Sequence, residues 1–103
     1  MIVSFGDKST EDLYQGRAIK RVRRIPEDVH PAVLRKLDML NAAEELKDLR
    51  SPPGNRLKRL EGDLSEFHSI RVNDQWRLVF RWTDGSVHDL KVTDYHQVAE
   101  VES

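Results

Sequence analysis

The sequence predicts an α+β fold: a short N-terminal strand, two helices, and then an antiparallel sheet built from C-terminal hairpins. Three observations carry that expectation. Apolar residues recur at three- and four-residue steps between Val33 and Leu46, the period changes to two from Glu66 onward, and the connections within the second half are too short for a parallel crossover.

Taken in order, Ile2-Val3-Ser4-Phe5 alternates and reads as the first strand, closed by Gly6-Asp7. Ser9 or Thr10 then caps a short helix with Glu11 and Asp12 in its first turn, where carboxylates meet the positive end of the helix dipole, and Gly16 marks its end. The main helix starts after Ile25-Pro26, near Asp28 to Pro31. Val33, Leu34, Leu37, Leu40, Ala43 and Leu46 share one face of it, and Pro52-Pro53-Gly54 forbids continuation.

Three strands follow, around His68-Ile70-Val72, from Gln75 to Trp82 and from Val87 to Thr93, joined at Asn73-Asp74 and at Thr83-Asp84-Gly85-Ser86. Centring the turns on Asn73-Asp74 and Asp84-Gly85 sets Ile70 opposite Arg77, His68 opposite Val79, Arg77 opposite Val92 and Val79 opposite Leu90. In that register His68, Arg77, Asp94 and His96 share a face, with Phe67, Trp76, Leu78, Phe80 and Trp82 on the reverse. A bulge would flip the assignment. Parity alone leaves open which face the helices cover, because both carry apolar residues.

At 103 residues the chain is expected to form one domain over residues 1–96, with 97–103 as a C-terminal tail. The absence of cysteine excludes a disulfide framework, a thiolate nucleophile and thiolate metal ligands. No apolar run is long enough for a bilayer and no leader pattern is visible, so the expected compartment is the cytoplasm, with no membrane partner. His30, His68, His88 and His96 show no metal-ligand spacing, no glycine-rich phosphate loop is present, and Ser4, Ser65 and Ser69 lack the elbow of a serine hydrolase. No metal and no cofactor are expected.

Charge is uneven along the chain. The formal total is -1, yet Arg17, Lys20, Arg21, Arg23 and Arg24 form an acid-free segment of five positive charges, leaving -6 for the remainder. Arg50, Arg56, Lys58 and Arg59 form a second acid-free segment on a loop marked by Ser51-Pro52-Pro53-Gly54-Asn55. Polyanions respond to local potential, so both clusters are candidate contacts for RNA or a ribosome, against the plainer reading of solvated surface charge.

The candidate chemistry is metal-free cleavage of a phosphodiester. RNA breaks if its 2′-hydroxyl is deprotonated, the phosphorane charge is held by cations, and the leaving 5′-oxygen gains a proton. His96 suits proton transfer, Arg77 can hold phosphate oxygens with its fork of donors, and Lys58 adds a compact charge. Asp94 could orient a neighbour or act as base, and Tyr95 could stack on a base or donate to phosphate.

Pro52-Pro53-Gly54-Asn55-Arg56-Leu57, Leu60-Glu61-Gly62-Asp63, Ser69-Ile70-Arg71-Val72-Asn73-Asp74-Gln75-Trp76-Arg77 and Asp94-Tyr95-His96 together resemble the HigB toxins of the RelE/ParE superfamily, also called plasmid maintenance killer proteins. The helical stretch Arg35-Lys36-Leu37-Asp38-Met39-Leu40-Asn41-Ala42 is similar as well, so the likeness runs over nearly all of residues 1–96. The resemblance implies a RelE-like fold and a ribosome-dependent mRNA endonuclease with catalytic positions at Arg77, Asp94, Tyr95 and His96. It also implies a HigA-type helix-turn-helix antitoxin as partner, with operator DNA bound only through that antitoxin. In some relatives a histidine of the basic loop serves the site, and the matching position here is Lys58. A non-catalytic toxin that docks on a partner, as gyrase-directed members of the superfamily do, is the alternative.

Overall fold

The computed structural model describes residues 1–17, 24–62 and 66–97. Helix α1 spans Lys8–Tyr14, α2 spans His30–Ala42, and four strands follow: β1 Lys58–Arg59, β2 Phe67–Arg71, β3 Trp76–Thr83 and β4 Ser86–Asp94. They form one antiparallel sheet in the order β1-β2-β3-β4. The expected α+β architecture is therefore present. The N-terminal segment adds parallel bridges to β4, Ile2 with Val87 and Phe5 with Leu90.

Asp7, rather than Ser9 or Thr10, caps α1: its carboxylate accepts from the Thr10 amide at 2.9 Å, an anion at the positive end of the helix. Thr10 is left to serve the sheet, its hydroxyl accepting from the Val92 amide at 2.9 Å. The chain leaves the helix through Gly16 at φ 75, as the sequence indicates.

Pro31 lies in the first turn of α2, where a missing N–H costs nothing, and Val33, Leu37 and Leu40 are fully enclosed. The helix is shorter than its apolar stripe. The Asp48 carboxylate takes the amides of Glu44 and Glu45 at 3.1 and 3.0 Å, and a separate 3-10 turn, Leu46–Arg50, begins there. Leu46 thus packs against the core from outside α2.

Asp84 and Gly85, at φ 50 and 73, form the two-residue turn of the β3–β4 hairpin, with Thr83 opposite Ser86 as predicted. Beyond it the expected register fails twice. In β4 a bulge at Asp89, φ 53, sets two residues against Phe80, so Arg77 faces Thr93, Leu78 faces Val92 and Val79 faces Lys91. The bulge is anchored by the Ser4 hydroxyl, which accepts from the Asp89 amide at 2.9 Å. Gly6 passes so close that a Cβ there would sit 2.7 Å from the Asp89 carbonyl.

In the other hairpin the loop is four residues, 72–75, because the Asn73 side chain accepts from the amides of both Gln75 and Trp76 at 2.9 and 2.8 Å. Ile70 consequently faces Leu78, His68 faces Phe80 and Phe67 faces Arg81. His68 and Phe67 have exchanged faces relative to the expectation. The helices cover the face carrying Ile70, Trp76, Leu78, Phe80 and Val92. Burying such side chains is worth about 1.5–3 kcal/mol each, whereas the reverse face offers mainly Ser69, Arg71, Arg77 and Val79 in the middle strands, so hydrophobic burial selects the side.

Candidate active site

The reverse face of the sheet is organised around Arg77, which is 3% exposed. Its Nε donates to Ser69 Oγ at 3.0 Å and its Nη2 to the Arg56 carbonyl at 2.8 Å. Ser69 is directly opposite Lys58, so Lys58 and Arg77 lie on one face with the serine between them. Arg71, across from Arg77, is drawn away by a contact with Asp74, which relieves two like charges in opposing positions.

The loop that Arg77 grips is fixed from beneath as well. Asn55 is completely buried; its Nδ2 donates to the carbonyls of Leu49 and Ser51 at 3.1 and 3.3 Å, lies 3.0 Å from Met39 Sδ, and its Oδ1 accepts from Lys36 Nζ. Burial, with Arg35 and Arg71 nearby, holds the Lys36 ammonium below its ordinary value. Arg56 follows in the left-handed region at φ 46, which turns its carbonyl to the guanidinium and leads the chain into β1. A polar floor of Asn55, Lys36, Ser69 and Arg77 therefore fixes where Lys58 stands.

At the end of β4 the chain enters a single 3-10 turn, Tyr95–Gln97. The Asp94 carboxylate starts it, accepting from the His96 amide at 3.0 Å and from Gln75 Nε2 at 3.3 Å, while the Tyr95 amide donates to the Gln75 carbonyl at 2.6 Å. The His96 amide, then Gln75, hold the Asp94 carboxyl below the usual aspartate value, keeping it ionised. Tyr95 and His96 are both exposed, with ring centroids 5.9 Å apart in a T-shaped, edge-to-face arrangement.

Arg77 and this turn are neighbours, since Arg77 faces Thr93 and Gln75 binds Tyr95. The expected sharing of one sheet face is not what unites them. Asp94 faces Trp76, one parity removed from Arg77, and His96 lies in the turn beyond the strand. His68 is on the helix side, stacked on Phe80 at 6.2 Å, and is separated from Arg77 by the sheet.

Of the first basic segment, Arg17 is paired with the buried Asp12 at 3.1 Å, and Arg24 with Asp7 and the Val92 carbonyl at 2.9 and 2.8 Å. Acids outside the segment answer its two ends. Lys20, Arg21 and Arg23 lie outside the described residues. In the second segment Arg50, Arg56 and Arg59 are exposed, and Lys58 and Arg59 are not loop residues but strand β1. Two basic residues between Leu57 and Leu60 carry too little pattern to announce a strand. Sequence reasoning also missed Asn55, Lys36 and Ser69, whose importance arises only from long-range contacts.

The family model described as RelE-like toxin of type II toxin-antitoxin system HigB matches residues 3–96. The chain belongs to that HigB-like family. Toxin HigB-1 of Vibrio cholerae is 49% identical over 85 residues, covering 82% of this chain and 87% of that toxin. An uncharacterized protein of Haemophilus influenzae is 43% identical over 67 residues, covering 65% of this chain and 66% of its own length. As a HigB-like protein the chain is a toxin of a type II toxin–antitoxin system, and such a system supplies an antitoxin as its partner. Among the described residues no helix is long and apolar enough to cross a membrane.

Proposed function

We propose that this toxin is a ribosome-dependent endoribonuclease that cuts translated mRNA by acid/base chemistry without a metal. The observation that supports the reading is the Asp94-pinned turn, which presents a phenol and an imidazole to solvent beside a cationic sheet face. A surface used only for docking has no need of two proton-transfer groups held on one turn.

In the proposed reaction His96 takes the 2′-hydroxyl proton, the 2′-oxygen forms a bond to phosphorus, and the bond to the 5′-oxygen breaks. Tyr95 supplies a proton to the departing oxygen. The products are a 2′,3′-cyclic phosphate and a 5′-hydroxyl. Lys58 holds charge on the phosphorane. Asp94, ionised and engaged by the turn, orients His96 and is not the base. Arg77 is a positioning residue: it fixes Arg56 and hence Lys58, and its enclosed positive charge adds to the potential over the sheet.

Because one imidazole replaces the two of some relatives, most of the rate is assigned to positioning of the message on the ribosome, a contribution that can reach about 7–11 kcal/mol. The free protein is accordingly a weak nuclease. The partner antitoxin is proposed to be a HigA-type helix-turn-helix protein, with operator DNA reached only through it, and the site of action to be cytoplasmic.

The decisive experiment is induction of wild type and His96→Ala in cells, with primer extension on a translated message. Wild type arrests growth and leaves cut messages, whereas His96→Ala lowers cleavage by about 100-fold or more. Growth arrest with intact messages would replace the nuclease by the docking reading.

A further inference from the structure

We propose that the β1 edge of the sheet carries a phosphate subsite of the same RNA site, a pocket that seats one backbone phosphate of single-stranded RNA next to the one that Lys58 holds. The inference rests on the nuclease reading for the identity of the polyanion; the pocket itself does not depend on it.

The pocket has a volume of about 270 Å³ and lies between the Leu46–Arg50 turn and β1, with Lys47, Arg50, Lys58, Arg59 and His68 in its wall. Lys47 is answered by Glu45 at 3.1 Å, but among the described residues neither Arg50 nor Arg59 has a carboxylate partner. Arg50 and Arg59 repel one another across so small a space, and an entering anion relieves that. Two guanidiniums favour phosphate in particular, since their planar forks match its oxygens.

The rest of the wall suits a nucleotide better than a carboxylate side chain. Leu46 and Leu57 give an apolar surface for a sugar or base. His68 is held below its ordinary value chiefly by burial, with Arg59 adding to the effect, and so stays neutral and offers hydrogen bonding without a further charge. Lys58 stands both in the wall of the pocket and on the sheet face that carries Arg77, so the pocket adjoins the site of the proposed reaction. An RNA strand crossing the sheet would meet both, so the pocket would fix the phosphate register while the Tyr95–His96 turn does the cutting.

The test uses the full chain carrying His96→Ala, so that RNA remains uncut and binding is read apart from turnover. Fluorescence anisotropy with a short labelled single-stranded oligoribonucleotide compares this protein with one that also carries Arg50→Glu and Arg59→Glu. A parallel arm measures sedimentation with small ribosomal subunits free of message. Both arginines are exposed, and circular dichroism verifies that the fold is kept. Charge reversal is expected to weaken binding by about ten-fold or more and to flatten the log–log salt slope by about 1.4, the effect of two lost single-strand phosphate contacts. Arg50→Lys with Arg59→Lys restores only part of the affinity, since an ammonium keeps the charge and loses the fork.

A loss with the oligonucleotide alone identifies the phosphate as the message's; a loss that includes the subunits, or is confined to them, identifies ribosomal RNA. Both outcomes support the pocket. Unchanged affinity and slope in both arms overturn it. So does a loss limited to antitoxin binding, which would make the occupant an acidic peptide.

Discussion

Arg77 and Asp94 stand at neighbouring ends of paired strands, yet one is 3% exposed and gripped by Ser69 and Arg56 while the other reaches out to hold a turn. The same contrast separates the two imidazoles, His68 packed on Phe80 and His96 on the exposed turn. The buried members determine where the basic loop lies; the exposed members are available to a substrate. Loss of a buried group should therefore be felt first in stability, and loss of an exposed one first in turnover.

The largest effect is expected at Arg77. Arg77→Ala removes charge-assisted hydrogen bonds made by a buried guanidinium, each worth about 1.5–3 kcal/mol, and leaves the Arg56 carbonyl without this donor. A loss of about 3 kcal/mol is expected, which in a domain of this size lowers the thermal midpoint by roughly 12 °C or more. Arg77→Lys should recover little, because one ammonium cannot span both acceptors along the same two directions. If calorimetry shows Arg77→Ala to melt like wild type while cleavage disappears, the guanidinium belongs with the exposed group and touches phosphate itself.

Asp94→Asn probes the other side of the comparison. The amide keeps the shape and one acceptor but loses the charge that draws the His96 amide, so turnover on programmed ribosomes should fall by about ten-fold with little change in melting at neutral pH. The sign of the pH effect follows from the lowered carboxyl: its stabilising contribution is present above the ordinary aspartate value of 3.8 and is lost as pH falls through the lower folded value. Any difference in midpoint between wild type and Asp94→Asn should thus persist from neutral pH to about pH 4 and vanish below it. A difference that grows on acidification would mean the carboxyl is protonated in the folded turn.

The division between buried and exposed was partly legible in the sequence. Asp84-Gly85 announced its turn because both positions require positive φ, and the α2 stripe announced its core face because burial there is local and periodic. Asp94-Tyr95-His96 was legible as a candidate for chemistry, since its residue types carry that signal. The register was not, because the Asp89 bulge depends on Ser4, eighty-five residues away, and the four-residue loop on a side chain, Asn73, binding its own backbone. Each shifted its pairing by one residue: the loop moved His68, and the bulge Asp94, off the face of Arg77. Arg77 read as an exposed anion-holder for the same reason: nothing local reveals that Ser69 and the Arg56 carbonyl will close over it.

His68 provides the finest test, because the helix-side face of the sheet decides its behaviour. Burial first, and then Arg59, depress its imidazole below 6.5, while the nearby Glu66 backbone partly offsets them. The unfolded chain then binds a proton more readily than the folded one between the folded value and 6.5. Stability should rise with pH across that window and, read the other way, decline as the solution is acidified from pH 7 through 6.5, levelling off once the folded imidazole is also protonated. His68→Gln removes this slope and leaves the remaining pH response intact, which denaturant melts between pH 7.5 and 5 would resolve. Were His68→Gln to spare the slope, the burial of this imidazole on the helix side of the sheet would no longer account for the pH response.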